Sequence, residues 1–332
     1  MKKKIFIDGS AGTTGLRIRG RLEGREEVEL LTLPEELRKD KEARRKKLNE
    51  ADVAFLCLPD DAARESVSLI ENEKTVVIDA STAHRTLPEW AYGFPELGES
   101  FEKKLLSSKR IAVPGCHASG FIALVYPLIE AGFLEKDALL TCHSVTGYSG
   151  GGNAMIKEYE GLERSVWLGA PCQYGNRQQH KHLKEMTAVS GLSVAPLFCP
   201  ILSDFYSGML VTVPLFASQL KKGGMKEIKE LYRGKYRGAI VRYEEPNDDW
   251  KVGFISAAER SEYDSMKIVV DGNDERILLM AAYDNLGKGA SGAAIECMNM
   301  ALGIERTTGL VLTHSDLVEE SKRNKAKRKE NN

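Results

Sequence analysis

Residues 4–15, KIFIDGSAGTTG, decide the architecture of the chain. Lys4 to Asp8 reads as a short buried strand, the glycines make a turn, and an amphipathic helical stretch begins at Leu16. A strand, a glycine turn and a helix in that order is where a dinucleotide-binding unit places its phosphate loop. Gly9 permits the tight turn, Gly12 lets the backbone approach a pyrophosphate, and Gly15 allows close helix packing. The run Gly9, Ser10, Ala11, Gly12, Thr13, Thr14 and Gly15 is therefore the candidate cofactor cradle, with the helix N-terminus meeting the negative charge. The spacing is GxxGxxG rather than GxGxxG, and a glycine turn that binds something else would have the same string.

Further strands follow at Val28–Leu33, Val53–Leu58, Thr75–Ala80 and Arg110–Val113. The charged run 35–50 reads as a solvated helix or covering segment and 61–71 as a helix. This alternation predicts a Rossmann-type α/β domain around a largely parallel sheet. Helix-like ALVYPLIEAG comes next, and its Pro127 predicts a kink or a helix start. Beyond about residue 135, LLTCHSVTGYS, SGMLVTVPLFA, GAIVRYEE and SMKIVVDGN read as longer strands, as in a second α+β domain with a mixed or antiparallel sheet. KGASGAAIECMNMALG reads as a helix returning to the first domain. The expected organisation is a cofactor domain of residues 1–115 and about 288–320, a catalytic and oligomerisation domain of 116–287, and a charged tail of 321–332.

The balance of 47 basic against 48 acidic residues favours neither nucleic acid nor a membrane as partner, and the basic tail reads as a solvated terminus. No targeting or spanning segment is apparent. The six cysteines form no CxxC pair, which argues against zinc knuckles and a dense disulfide framework and fits a reducing, cytoplasmic compartment.

The second strand ends LLTLPEE, with no acid immediately after Thr32 to grip a ribose 2'-hydroxyl, while Arg17, Arg19 and Arg21 offer positive charge. That pattern favours NADP over NAD. In RIAVPGCHASG, Cys116 follows a strand and Pro-Gly and so opens a helix, where free N–H groups and the helix dipole predict a lowered thiol pKa and a covalent nucleophile. A helix-start cysteine without chemistry is the competing reading. If QQHKHLKEM is helical, His182 and Glu185 share a face, so that Glu185 orients the ring of an acid-base histidine. His180–Lys181–His182 lacks the flanking residues of a metal site, so no metal is expected; an ordinary surface segment remains open. SVTGYSGGG, with Ser149, Gly150 and Gly151, is either an anion nest or a turn. DASTAHR places Ser81 and Arg85 at the carboxyl edge of the sheet, where a cleft forms.

GSAGTTG, DASTAHR, the Pro-Gly-Cys turn, VTGYSGGG, HKHLKEM and YDNLGKGASGAA, in this order, resemble the N-acetyl-gamma-glutamyl-phosphate reductases of arginine biosynthesis, particularly their shorter second class. The resemblance implies Cys116 as nucleophile, His182 as acid-base group, His180 and Glu185 in support, and Asn285 with the loop from Gly287 to Gly292 beside the nicotinamide of NADP. It also implies a small acyl-phosphate substrate, reduced through a thioester, and a homodimer or homotetramer. AERSEYDSM departs from the family's usual turn before the late strand, so no substrate contact is carried onto Ser261 or Tyr263. Aspartate-semialdehyde dehydrogenases and lysine-pathway reductases share the domain plan and remain alternatives, as does a non-catalytic dinucleotide sensor.

Overall fold

The computed structural model describes residues 2–246 and 253–318, and the basic tail lies outside them. Short apolar segments build the first sheet: β1 (Lys3–Asp8), β2 (Val28–Leu31), β3 (Val53–Leu56), β4 (Val76–Asp79), β5 (Ala91–Tyr92) and β6 (Arg110–Ala112). They run parallel in the order β2-β1-β3-β4-β6-β5. Both faces are covered, which is why β3 and β4 are buried throughout. Helices α1 (Thr13–Leu22), α2 (Lys41–Glu50), α3 (Asp60–Ser68) and α4 (Glu99–Ser107) connect them. The charged run divides into a short 3-10 turn at Glu35–Leu37 and α2, which the Asp40 carboxylate caps by accepting the Ala43 N–H.

The second sheet is mixed, as expected, in the order β11-β12-β13-β10-β7-β9-β8. Its strands are β7 (Thr141–Gly147), β8 (Cys172–Gln173), β9 (Leu197–Ser203), β10 (Met209–Phe216), β11 (Val241–Tyr243), β12 (Met266–Gly272) and β13 (Arg276–Tyr283). Helices α5 (Cys116–Glu130) and α8 (Met225–Lys235) pack on one face of it. The remaining helices are α6 (Gly152–Glu160), α7 (Leu183–Ser190) and α9 (Gly292–Ala301). α9 lies against β4, α1 and α4, and the π-turn before it, Gly287–Ser291, contacts α1 and α5.

Pro127 does not start a helix here, because α5 runs through it. A proline in a helix leaves the carbonyl four residues back without its N–H partner. That carbonyl, of Ala123, accepts the Tyr236 hydroxyl at 2.7 Å, and the Leu124 carbonyl accepts the Tyr232 hydroxyl. Both tyrosines come from the end of α8 and are buried, so tertiary packing supplies what the local sequence removes.

Candidate active site

The strand-to-helix turn after β6 is Val113-Pro114-Gly115, and Cys116 begins α5. Only glycine fits at 115: a Cβ there would lie 2.4 Å from Arg85 Nη1 and 2.6 Å from His182 Nε2. The Gly115 N–H donates to Glu185 Oε1 at 2.8 Å. At the other side of the turn, Tyr283 from β13 donates its hydroxyl to the Cys116 carbonyl at 2.5 Å and accepts the Gly120 N–H at 3.0 Å, bridging a pair four residues apart. The backbone that carries the sulfur is thus held from two directions by buried side chains.

The thiol itself differs from expectation. Burial pushes the Cys116 thiol above its ordinary value, outweighing the lowering by Arg85, the His117 N–H and Lys181. A helix start favours thiolate, but desolvation inside the cleft is the larger effect.

QQHKHLKEM is not one helix. α7 starts at Leu183, so His180, Lys181 and His182 lie in the turn before it. Glu185 does not orient His182. Its carboxylate is buried and accepts from Arg85 Nη1 at 2.9 Å, the Tyr92 hydroxyl at 2.6 Å and Gly115. The three-residue spacing that predicted a His182–Glu185 pair does not apply across a helix boundary. His182 Nδ1 has no hydrogen-bond partner among the described residues, and the His182 N–H donates to His180 Nδ1 at 3.2 Å. Burial first, and then the Arg85 charge, hold His182 well below 6.5, so the ring is neutral. His180, its centroid 4.8 Å from that of His182, is lowered to about 4 chiefly by burial.

Cys116, His180 and His182 line one cavity of about 380 Å³ with His117, Tyr174, Lys181, Gly150, Gly151 and Asn285. Thr13, Thr14, Arg85, Leu286, Gly289 and Ala290 complete much of its wall. Gly289 approaches the nucleophile closely: a Cβ on it would sit 3.1 Å from the Cys116 Cβ. Asn285 is buried, donating to Ser149 Oγ at 3.0 Å and accepting the Gly208 N–H at 2.9 Å.

Ser149, Gly287 and Ser81 do not line this cavity. Ser149 is buried behind Asn285 and holds it, so it is not itself at the cavity wall. Gly287 packs against the Tyr263 carbonyl, where a Cβ would come within 2.0 Å, and does not line the cavity. Ser81 is likewise absent from the wall, because its hydroxyl donates to Asp79 at 2.7 Å. Arg85 reaches the wall but spends donors on Val113, Glu185 and Ala80, which makes it a brace for the turn.

A second cavity of about 650 Å³ lies at the carboxyl ends of β1 and β2, lined by Gly9, Ser10, Ala11, Leu31, Thr32, Leu33 and Arg19 among others. Glu35, Glu36, Arg38 and Lys39 also face it. The glycine loop therefore borders both cavities, through Gly9–Ala11 on one side and Thr13–Thr14 on the other. Gly9 has φ +88°, and Gly15 sits so close to the loop that a Cβ would come within 2.5 Å of the Gly9 carbonyl oxygen. The N-terminus of α1 carries no side-chain cap, which leaves its N–H groups for an anion. Of the three arginines on α1, only Arg19 lines the cavity. Arg17 and Arg21, four apart on another face, pair with Asp284 at 3.3 Å and Asp264 at 2.8 Å. Arg38 and Lys39, from the end of the 3-10 turn, were not singled out by the sequence reading.

Residues 26–104 match the semialdehyde dehydrogenase NAD binding domain, and residues 116–285 match the semialdehyde dehydrogenase dimerisation domain. An aspartate semialdehyde dehydrogenase II from Vibrio cholerae, solved with ASA, superposes with a TM-score of 0.68 at 13% identity, over 91% of this chain and 99% of that one. An aspartate semialdehyde dehydrogenase from Candida albicans, solved with NADP, gives 0.61 at 15% identity, over 91% and 99%. At such identity these structures establish the fold alone. Sequence relatives are much nearer. The N-acetyl-gamma-glutamyl-phosphate reductase of Chelativorans sp. is 46% identical over 91% of this chain and 99% of its own. Those of Mesorhizobium japonicum and Nostoc sp. (the latter numbered 2) are 43% and 42% identical, over 92% and 93% of this chain and 100% and 99% of theirs. Across nearly its whole length, then, the chain belongs to the N-acetyl-gamma-glutamyl-phosphate reductase family, built on the semialdehyde dehydrogenase fold.

Proposed function

We propose that the chain reduces N-acetyl-gamma-glutamyl phosphate to N-acetylglutamate 5-semialdehyde and inorganic phosphate in arginine biosynthesis, with NADPH as reductant and Cys116 carrying the acyl group as a thioester. The observation that supports this most is a cysteine at a helix start beside a neutral, buried histidine, in a cavity that borders the glycine loop.

The loop fits a dinucleotide: Gly9 and Gly15 leave no room for side chains, and the α1 N-terminus lacks a side-chain cap. In this reading Gly9 to Gly15 take the pyrophosphate and Asn285 with Gly289 borders the nicotinamide. Arg19, Arg38 and Lys39 favour the extra phosphate of NADP, and they outnumber the two acids of the same wall, Glu35 and Glu36, which come only after Leu33 and Pro34. Bound there, the cofactor supplies hydride to the acyl carbon.

The protein's own groups handle the sulfur and the protons. Thiol and imidazole begin neutral, so His182 takes the Cys116 proton as the sulfur attacks the acyl carbon. The new C–S bond replaces the C–O bond to phosphate, which leaves with that electron pair. His182 then returns the proton to the oxygen of the reduced adduct, takes it back as the C–S bond breaks and the thiohemiacetal collapses to aldehyde and Cys116 thiolate, and passes it to the sulfur to restore the neutral pair. N–H groups at the start of α5 stabilise charge on that oxygen.

Oligomerisation through the second sheet belongs to the same reading. With α5 and α8 on one face, the opposite face exposes Leu197, Phe216 and Leu278, which supports a homodimer or homotetramer. No helix among the described residues is long and apolar enough to cross a membrane.

The test is a side-by-side assay of N-acetylglutamate semialdehyde and aspartate semialdehyde, each with phosphate and NADP. Preference for the first is expected, and preference for the second would overturn the substrate assignment. Cys116→Ser should abolish turnover, while unchanged turnover removes the covalent mechanism.

A further inference from the structure

His117 follows the nucleophile in α5 and is buried, yet neither of its nitrogens is idle. Nδ1 lies 2.7 Å from Ser144 Oγ on β7, and Nε2 lies 2.6 Å from the hydroxyl of Tyr174, in the loop after β8. Tyr174 lines the same cavity as Cys116. Its ring stands 6.1 Å from that of His117 and 6.0 Å from that of His180, edge to face. A serine, a histidine and a tyrosine thus form one chain running from the buried sheet to the cavity wall.

The direction of the hydrogens in that chain follows from what each group can do. His117 is lowered to about 3, chiefly by burial, so it is neutral and has one donor and one acceptor nitrogen. Ser144 is fully buried, and its hydroxyl makes no other hydrogen bond among the described residues. If Ser144 accepted from His117, its own proton would be orphaned, and an orphaned buried donor is the costlier arrangement. Ser144 therefore donates to Nδ1, His117 carries its proton on Nε2 and donates to the Tyr174 oxygen, and the Tyr174 proton is left to point into the cavity.

We propose that Ser144 and His117 fix Tyr174 as a hydrogen-bond donor to an oxygen of the acyl substrate. Tyr174 touches the substrate; His117 and Ser144 are positioning residues that act through it. The proposal rests on the reading of the Cys116 cavity as an acyl-substrate site. It goes beyond that reading by naming the polar group that selects an oxygen-bearing substrate there, because a site whose donor is left unpaired discriminates strongly against a ligand lacking the acceptor.

Two measurements on the full chain decide it. In protein labelled with ¹⁵N-histidine, His117, assigned by its loss in His117→Asn, should be the neutral Nε2–H tautomer from pH 5 to 8, and Ser144→Ala should shift it toward a mixture of tautomers. An Nδ1–H tautomer in the wild type, or no response to Ser144→Ala, overturns the chain, and this readout needs no substrate. In kinetics, Tyr174→Phe should lower kcat/KM by about tenfold or more, the usual scale for losing one substrate hydrogen bond. Ser144→Ala should lower it by less, and the double variant should match Tyr174→Phe alone. Unchanged kcat/KM in Tyr174→Phe, or losses that multiply in the double variant, refute the proposal. A wild-type chain that turns over no acyl substrate would defeat the functional reading, whereas the tautomer would still report on the hydrogen-bond chain.

Discussion

Lowering the pH from 7 to 5 should weaken the fold through histidines that the native state keeps neutral. His117 is held at about 3 and His182 well below 6.5, in both cases mainly by burial. In the unfolded chain each returns to about 6.5 and binds a proton as the pH falls below that value. The unfolded state then carries more protons than the native one, so stability rises with pH between the folded and unfolded values and is lost on acidification. Each such histidine costs about 1.4 kcal/mol per pH unit once the unfolded form is mostly charged. For His117 that is about 2 kcal/mol between pH 7 and 5, and His182 adds in the same direction. His180, lowered to about 4 but partly exposed, adds a smaller share after solvent screening. The direct assay is proton uptake on urea unfolding at pH 5.5, expected to be about one proton from His117, lost in His117→Asn, with a further contribution from His182. Uptake below one proton, or stability that stays level from pH 7 to 5, would refute the neutral-histidine cluster.

Glu185→Gln sets an amide against three donors, and in either orientation its NH₂ faces Arg85 or the Gly115 N–H. With the guanidinium left uncompensated, urea unfolding should show a loss of about 3–5 kcal/mol; a loss confined to kcat, with stability intact, would instead favour a role in orienting His182. Alkylation of Cys116 by iodoacetamide without substrate should accelerate through the alkaline range, because burial raises the thiol. A plateau near neutral pH would show a depressed thiol and contradict that. Gly15→Ala places a Cβ 2.5 Å from the Gly9 carbonyl oxygen and 2.9 Å from the Ser10 Cα, so NADPH affinity measured by fluorescence titration should fall about tenfold or more. Wild-type affinity in that variant would remove the close-packed loop from the cofactor site.

The parallel sheet was legible because its buried strands read as apolar runs and its helices alternate with them. β5, two residues long, carries no such pattern, yet it brings Tyr92 to Glu185. β9 and β13 were also passed over, although LFCPILS and RILLMAAY are apolar enough to be found. In the candidate site, Cys116, His180, His182, Gly150 and Gly151 were named from their segments and Asn285 from the family resemblance, and the fold brings them to one cavity. Tyr174 was missed because it lies in irregular chain, and adjacency to Cys116 does not announce which way His117 points.

By itself the sequence determined the local pieces: the Gly9–Gly15 turn, the Pro-Gly-Cys helix start, the strand patterns and the family. These are set by near-neighbour sterics and periodicity. Tertiary structure alone decided the partners. Glu185 was assigned to His182 by a helical spacing, and the fold gives it to Arg85, Tyr92 and Gly115, residues 70 to 100 positions away. The Cys116 thiol, expected to be lowered by its helix, is raised because burial is a property of everything packed around it. Charge pairing and desolvation depend on distances across the chain, and those exist only once it has folded.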